Sequence, residues 1–247
     1  MIFNASLDIN AREKVIDYLK EKKFKRVIDI GGSMAPWAKE FVTHYLDILD
    51  IHVHLKNTGI YDDNIARSKM FVGDINDGYG WGEVLAEEPF DFAICSQTLE
   101  DIRNPSYTLR TLPVIAKEGF ISVPHKYREL SFVENYTLEH QGIFGLSKPY
   151  IGYLHHRWIF TVIEGYKFFD TQEGKIIQRN ILRLFPKLEF VSCLKELTEK
   201  IKDKSVMNEL TLWWKGDLPF EIINGDFLGP DPKSVFEMYT DKMEEGI

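Results

Sequence analysis

Acidic side chains follow two short apolar runs in the amino-terminal part of the sequence. Asp50 comes after the run in HYLDIL, with Asp47 inside that run as the alternative, and Asp74 comes after KMFVG. A carboxylate at the end of one strand can accept hydrogen bonds from both hydroxyls of a ribose. A carboxylate at the end of the next strand can accept a bond from an exocyclic amine, while the neighbouring Ile75 packs against a flat ring. The two acidic positions therefore predict a site for a molecule that carries a ribose and a flat ring with an exocyclic amine.

Two further segments place small or polar residues at the end of an apolar run. In RVIDIGGSMA the run VIDI ends in glycines, and small residues let backbone N–H groups and a helix N-terminus approach a ligand. Tight packing of the strand against a helix is the alternative for a single turn of this kind. In FDFAICSQTLED the apolar run ends in polar residues that enter a helix-like segment. The candidate cofactor-binding residues of the two segments are Asp29, Gly31, Gly32, Ser33, Ser96 and Gln97.

Histidines, aromatic residues and cations are dense between residues 125 and 170. This segment follows the apolar run FISVP and holds four of the seven histidines of the chain. Imidazoles are frequent general bases, whereas arginine and lysine pair with a phosphate or a carboxylate on a substrate. Packing in the core is the alternative for each single histidine. The candidate catalytic bases are His125, His155 and His156, and the candidate substrate-binding residues are Lys126, Arg128, His140, Tyr153 and Arg157.

Pairs of histidines raise the question of a metal site. One pair is adjacent in sequence, and adjacent residues of a strand point to opposite faces, which suits two ligands of one ion poorly. The metal-binding pattern HExxH does not occur in the chain. The sequence therefore predicts no metal site. The histidines and carboxylates of this alternative are His52, His54, His155, His156, Glu129, Glu134 and Glu139.

The elements that must position these residues alternate between short apolar runs and helical patterns. Buried strands are predicted at residues 27–30 and 45–49 and in KMFVGD, FDFAICS, EGFISVP and NELTLWW, with two more around Glu164 and Gly165. Helices are predicted at residues 8–20, 36–42, 81–87, 107–117, 176–184 and 194–202. This order predicts an α/β fold with a mostly parallel twisted sheet, helices on both faces and antiparallel strands at one edge. In such a fold, ligands bind beyond the carboxyl ends of the strands.

The composition narrows the classes of function. The formal net charge is −8 and the isoelectric point is near 5.4, so there is no excess of cations to neutralise a nucleic-acid backbone. Cys95 and Cys193 form no CxxC pair, which suits a reducing compartment. The amino terminus lacks a secretory pattern, and no run reaches the roughly 18 apolar residues of a membrane span. We therefore expect a cytoplasmic protein that binds neither nucleic acid nor a membrane, with a homodimer as an open alternative.

Taken together, the motifs resemble those of the class I S-adenosylmethionine-dependent methyltransferases. The glycine-rich first motif of that family is similar to residues 29–35, and its second-strand acid is similar to Asp50. The acid that contacts adenine is similar to Asp74, and the fourth-strand motif is similar to residues 90–97. Residues 96–125 are similar to the family segment that runs from a leucine-acidic helix to the fifth strand. The resemblance implies S-adenosylmethionine as the cofactor and S-adenosylhomocysteine as the product.

The single domain formed by residues 1–247 is expected to have three parts. The resemblance places a Rossmann-like cofactor core at about residues 24–125. The density of histidines, aromatic residues and cations predicts a substrate-recognition insertion at residues 126–170, and the strand-like runs that follow predict that residues 171–247 complete the sheet and end in a tail. The chain departs from the family pattern at Ser33 and Ala35, where the family usually has glycine.

The expected reaction is O-methylation of a polar small molecule. A sugar, a nucleotide-linked sugar or another intermediate of glycan assembly fits the aromatic and basic insertion best. Two alternatives stay open: a regulatory protein that binds S-adenosylmethionine without turnover, and a metal-dependent hydrolase. A nicotinamide enzyme is disfavoured, because GGSMAP lacks the third glycine of the GxGxxG pattern.

Overall fold

A computed structural model describes residues 2–32, 35–48, 62–124, 133–137, 147–151, 153, 155–170, 174–186 and 209–222. The strands are β1 (Ile2–Asp8), β2 (Val27–Ile30), β3 (His44–Asp47), β4 (Lys69–Val72), β5 (Phe92–Ser96), β6 (Glu118–Pro124), β7 (Val133–Thr137), β8 (Ser147–Ile151), β9 (Trp158–Asp170), β10 (Lys175–Pro186), β11 (Glu209–Lys215) and β12 (Phe220–Ile222). The described helices are α1 (Ala11–Lys22), α2 (Asp63–Ala66), α3 (Gly82–Leu85) and α4 (Pro105–Ile115).

The main sheet has seven strands in the order β1-β11-β6-β5-β2-β3-β4. Strands β2 to β6 are parallel, whereas β11 is antiparallel to both of its neighbours, β6 and β1. The Rossmann-like prediction with antiparallel pairing at one edge is thus confirmed. The chain runs outward from β2 through β3 to β4 and then returns to the other side of β2 as β5. Such a reversal opens a crevice at the carboxyl ends of the strands, where ligands of this architecture bind.

Each face of the main sheet carries its own hydrophobic core. All four residues of β2 are buried; Val27 belongs to the core on one face, and Ile28 and Ile30 belong to the core on the other. Helix α1 covers the first face with residues spaced by four, including Val15 and Leu19, and α4 covers the second face. Full burial of such an aliphatic side chain contributes about 1.5–3 kcal/mol. The alternation within β2 therefore holds the strand rigidly between two layers.

A smaller sheet, ordered β12-β10-β9, is built on a long antiparallel hairpin. Two strands were expected around Glu164 and Gly165, but β9 is one strand of 13 residues with a bulge there. Gly165 has a φ of +61°, and its N–H donates to Asn180 Oδ1 at 3.3 Å. The helix predicted at residues 176–184 is wrong, because pairing with β9 along this segment makes it strand β10.

Other boundaries differ locally from the predictions. Residues 36–42 form turns instead of a helix, with the N–H groups of Phe41 and Val42 both donating to Ala38 O. The strand expected at residues 45–49 ends at Asp47, and β1 was not predicted. The helix predicted at residues 194–202 lies outside the described residues. None of the described helices is long and apolar enough to cross a membrane.

Candidate functional site

A cavity of about 490 Å³ lies beyond the carboxyl ends of β2, β3, β4 and β5. This is the crevice that the reversal of strand order creates, and its volume is typical of a small-molecule site. The lining residues come from the loops that follow these strands and from the residues that lead into β9. They are Gly31, Asp47, Ile48, Gly73, Asp74, Ile75, Asn76, Gln97, Thr98, Asp101, Ile102, Arg103 and Arg157.

The glycine turn after β2 forms one wall of the cavity. Gly31 has a φ of +75°, and its N–H donates to Leu46 O at 2.8 Å. A Cβ atom at Gly31 would lie 2.4 Å from Thr98 Cγ2, so both the backbone conformation and the space require glycine. A Cβ at Gly32 would lie 2.4 Å from the carboxylate oxygens of Asp29. The small residues of this turn are therefore needed for its packing, and they also leave its backbone open to the cavity.

Asp29 lies beneath this turn and does not line the cavity. Its side chain is fully buried, and neither carboxylate oxygen has a hydrogen-bond partner among the described residues. Burial, with a smaller contribution from the charge of Asp47, raises the pKa of Asp29 to about 7. Asp29, a candidate cofactor-binding residue, is thus not among the described residues that line the cavity, because β2 directs its carboxyl group into the protein.

Asp47 is the acid that the structure places at the end of β3. It lines the cavity, and its Oδ1 accepts a hydrogen bond from the N–H of Ile48 at 2.7 Å. Asp50, the first choice from the sequence, lies outside the described residues, as does Ser33. Asp47, the alternative to Asp50 in the sequence analysis, is therefore the acid described at the end of β3.

Asp74 and Ile75 line the cavity on a tightly bonded loop after β4. Asp74 Oδ1 accepts hydrogen bonds from the backbone N–H of Asn76 at 2.9 Å and from its Nδ2 at 2.6 Å, and the backbone bond is the main cause that lowers the pKa of Asp74. The carbonyl of Ile75 accepts bonds from Trp81 Nε1 at 3.0 Å and Thr108 Oγ1 at 3.1 Å. These bonds fix the loop, so that Ile75 has a defined place in the wall.

The residues after β5 form the opposite wall. Gln97 lines the cavity with a φ of +49°, a strained conformation for a residue other than glycine, and its N–H donates to Ser122 O at 2.8 Å. Backbone strain of this kind is concentrated at functional sites. Thr98 Oγ1 donates to Ile30 O at 3.2 Å, which ties this wall to the glycine turn. Ser96 was expected at the site, but it is buried at the end of β5 and does not line the cavity.

The residues that lead into β9 are bonded to the loop between β5 and α4. The N–H of Arg157 donates to Glu100 O at 2.6 Å, and its Nε donates to Asp101 O at 3.1 Å. Trp158 Nε1 donates to Ile102 O at 2.8 Å. Arg157, a candidate substrate-binding residue, is thereby held in the cavity wall.

Two of the candidate bases lie beside this junction. The rings of His155 and His156 are 4.4 Å apart, and Tyr153 lies 4.6 Å from His156. Nε2 of each histidine is 3.9 Å from Asp101 Oδ1. The prediction that these adjacent histidines point to opposite faces is wrong, because they precede β9 in a turn and are not part of the strand.

Some predicted site residues lie outside the described part of the chain, and some residues that line the cavity were not predicted. His125, Lys126, Arg128 and His140 lie outside the described residues, as do His52, His54, Glu129 and Glu139; for Glu134 only the backbone is described. Asp101 and Arg103 line the cavity but were not predicted to do so. Both follow β5 in the segment LEDIRNP, and a position just beyond a strand end is the feature of the sequence that could have indicated them. Thr98 had no signal of its own, because its role depends on contact with Gly31.

A second cavity, of about 600 Å³, lies between α4 and the smaller sheet. Its wall includes an ion pair between Arg179 and Asp217, and the Arg110 guanidinium lies 5.7 Å from the centroid of the Phe220 ring. None of the described residues predicted to bind a ligand lines it. The smaller cavity at the strand ends is therefore the candidate active site.

No protein-family model and no curated protein matches the sequence. Among solved structures, the N-terminal domain of EvdMO1 with SAH bound is similar at 9% identity, with 84% of this chain and 80% of that chain covered and a TM-score of 0.40. The glycopeptide N-methyltransferase MtfA complexed with sinefungin is similar at 8% identity, with 83% and 86% covered and a TM-score of 0.41. The methyltransferase domain of bacterial CtHen1-C is similar at 13% identity, with 68% and 94% covered and a TM-score of 0.38. Likenesses at this level concern the fold and carry no argument about the activity of this chain.

Proposed function

We propose that this protein is an S-adenosylmethionine-dependent methyltransferase that acts on an oxygen atom of a polar small molecule. The observation that carries the proposal is the convergence of Gly31, Asp47, Asp74 with Ile75, and Gln97 on one cavity. Gly31, Asp74 and Gln97 belong to three of the motifs that resemble those of the class I methyltransferases, and they occur in the same order along the chain. Asp47 is the alternative to Asp50 for the acid of the second-strand motif.

The residues present fit the cofactor. The open backbone of the turn at Gly31 suits the methionyl part, and the Asp47 carboxylate suits the ribose hydroxyls. Ile75 supplies an apolar surface for the adenine ring, while Asp74 holds the loop that carries it. Gln97 completes the wall between the turn and β6. Bound S-adenosylmethionine would supply a methyl group already activated by its sulfonium charge.

The chain's own contribution is to bind and orient the acceptor. Arg103 and Arg157 place guanidinium groups in the wall beyond β5, where they can pair with an anionic or hydroxyl-rich acceptor. A hydroxyl is a weak nucleophile near neutral pH and gains from a group that takes its proton. His155, His156 and Asp101 are the titratable groups described at this end of the site. A sugar, a nucleotide-linked sugar or another glycan-assembly intermediate is the acceptor class that this arrangement suits.

The first experiment is calorimetric titration of the purified protein with S-adenosylhomocysteine. Wild-type protein should bind it. Asp47→Asn should weaken the affinity by roughly 10- to 100-fold, because loss of a hydrogen bond to a charged group costs a free energy of this size. Asp17→Asn is the matched control, because Asp17 is an exposed residue of α1 that lies outside the cavity. Its affinity should equal that of the wild type. Absence of binding in the wild-type protein would overturn the proposal.

A turnover assay then separates an enzyme from a binding protein. Transfer of a labelled methyl group to pools of sugars and sugar phosphates should be detectable with the wild-type protein and, below saturation with S-adenosylmethionine, reduced with Asp47→Asn. Binding of S-adenosylhomocysteine without transfer to any acceptor pool would instead support the regulatory alternative.

A further inference from the structure

Asp101, His155 and His156 bring three metal-ligating atoms together at the edge of the candidate active site. One carboxylate oxygen and two imidazole nitrogens all lie within 4.8 Å of one another. Asp101 also lines the cavity. We propose that these residues bind a divalent transition-metal ion at the acceptor end of the cavity.

The distances suit a shared cation better than direct hydrogen bonds. Nε2 of each histidine lies 3.9 Å from Asp101 Oδ1, beyond the roughly 3.2 Å limit of a hydrogen bond. Two ligands that each lie about 2.0–2.2 Å from one metal ion are at most about 4.4 Å apart. Both separations between a histidine nitrogen and Asp101 Oδ1 fall between these limits, and all three ligand atoms lie within 4.8 Å of one another. Shifts of less than about 1 Å in the side chains would give the ligand spacing of a regular coordination shell.

The backbone bonds around the cluster hold its two segments in place. Arg157 is bonded to the carbonyls of Glu100 and Asp101, so that the residue after the histidine pair is fixed to the residue that carries the carboxylate. The N–H of His156 donates to Tyr153 O at 3.2 Å, and His156 is only 9% exposed. The backbone positions of the two segments that carry the ligands are therefore set by the fold before any ion arrives, which lowers the cost of binding one.

The ligand types indicate which ions would bind. Imidazole favours zinc, iron, cobalt and nickel, and a set of two histidines with one carboxylate leaves coordination positions open. The cluster is accessible, because the side chains of His155 and Asp101 are 63% and 43% exposed. An acceptor hydroxyl in the cavity could take one of the open positions.

The consequence for catalysis rests on the proposed function, whereas the binding of the ion does not. A cation lowers the pKa of a hydroxyl that binds to it, so that the hydroxyl can release its proton to water near neutral pH. The two histidines would then be ligands, and their nitrogen lone pairs would not be available for a general base.

Cobalt(II) is the probe that tests the site directly. Protein treated with EDTA and then dialysed should bind one equivalent of Co²⁺, with visible absorption bands that displacement by Zn²⁺ removes. His155→Ala and Asp101→Asn should each lower the Co²⁺ affinity by at least about tenfold. Both residues are exposed, so these variants should fold, and circular dichroism verifies this. Asp17→Asn, at a distance from the cluster, is the matched control and should bind Co²⁺ like the wild type.

Titration of the same samples with S-adenosylhomocysteine separates this inference from the proposed function. Co²⁺ binding that depends on His155 and Asp101 supports the metal site, even if S-adenosylhomocysteine does not bind. Binding of S-adenosylhomocysteine without Co²⁺ binding, or with Co²⁺ binding that both variants retain, overturns the metal site and leaves the proposed function standing.

Discussion

The buried carboxyl group of Asp29 should make the protein less stable as the pH rises. The Asp29→Asn variant should lack this contribution to the pH dependence. The folded state raises the pKa of this group to about 7, so it retains its proton at pH values where the unfolded chain has lost it. The stability that comes from the neutral form is fully present below the unfolded pKa, near 3.8, and is lost as the pH rises through about 7. Asparagine is similar in shape and has no proton to lose in this range.

The size of the effect follows from the pKa. At about 1.36 kcal/mol per pH unit, ionising this buried group costs on the order of 4 kcal/mol in total and about 3 kcal/mol between pH 5 and pH 8.5. A buried amide without partners costs about 1–3 kcal/mol. Asp29→Asn should therefore be close to neutral or destabilising at pH 5 and more stable than the wild type, by about 1–3 kcal/mol, at pH 8.5.

Urea denaturation of both proteins between pH 5 and pH 8.5 measures this difference. Other carboxylates act in the opposite sense; Asp91, for example, has its pKa lowered by a hydrogen bond from Lys117. These contributions are common to the two proteins and cancel in the comparison. Parallel stability curves for the wild type and the variant would refute the reasoning, because they would mean that Asp29 has the same pKa folded and unfolded.

Three further substitutions test the walls of the cavity. Gly31→Ala should lower the free energy of unfolding in urea by at least about 2 kcal/mol, because of its positive φ and the contact with Thr98, and an unchanged midpoint would contradict this. Trp81→Phe removes the hydrogen bond to Ile75 O and should cost about 1–3 kcal/mol and weaken S-adenosylhomocysteine binding in calorimetry; full retention of both would show that the bond does not position the loop. Gln97→Gly should raise thermal stability by up to about 1 kcal/mol while it weakens S-adenosylhomocysteine binding, and a lower melting temperature would argue against strain at this residue.

The central strands could be predicted because the information that specifies them is local. VIDI, KMFV, FAICS and EGFISVP are short apolar runs between charged or glycine residues, and each forms a strand at or near the expected place. The cavity could be placed at their carboxyl ends for the same reason. The position of a side chain within a strand was harder to predict, and Asp29 faces the protein interior although its neighbour Gly31 lines the cavity.

The remaining features depend on contacts between distant parts of the chain. Arg157 and Asp101 are 56 positions apart, and only their contact shows that the histidine pair lies beside a carboxylate from the loop after β5. The apolar residues of β10 fit a helix as well as a strand, and its pairing with β9 decides between them. Among the described strands, β1 pairs with β11 alone, and β11 lies about 205 positions later in the chain, so the short sequence of β1 carried no signal of a sheet edge.

The pairing of β1 with β11 also determines when the sheet is completed during synthesis. Ser6 lies opposite Thr211, 205 positions later in the chain. At a rate of about 5–20 residues per second, β1 waits on the order of 10–40 s after it is made before its partner exists. Once β6 has been made, its outer edge stays open until β11 exists, and an unpaired strand edge can pair with other chains. Chaperone capture of ribosome-bound chains should therefore end only when β11 has left the exit tunnel.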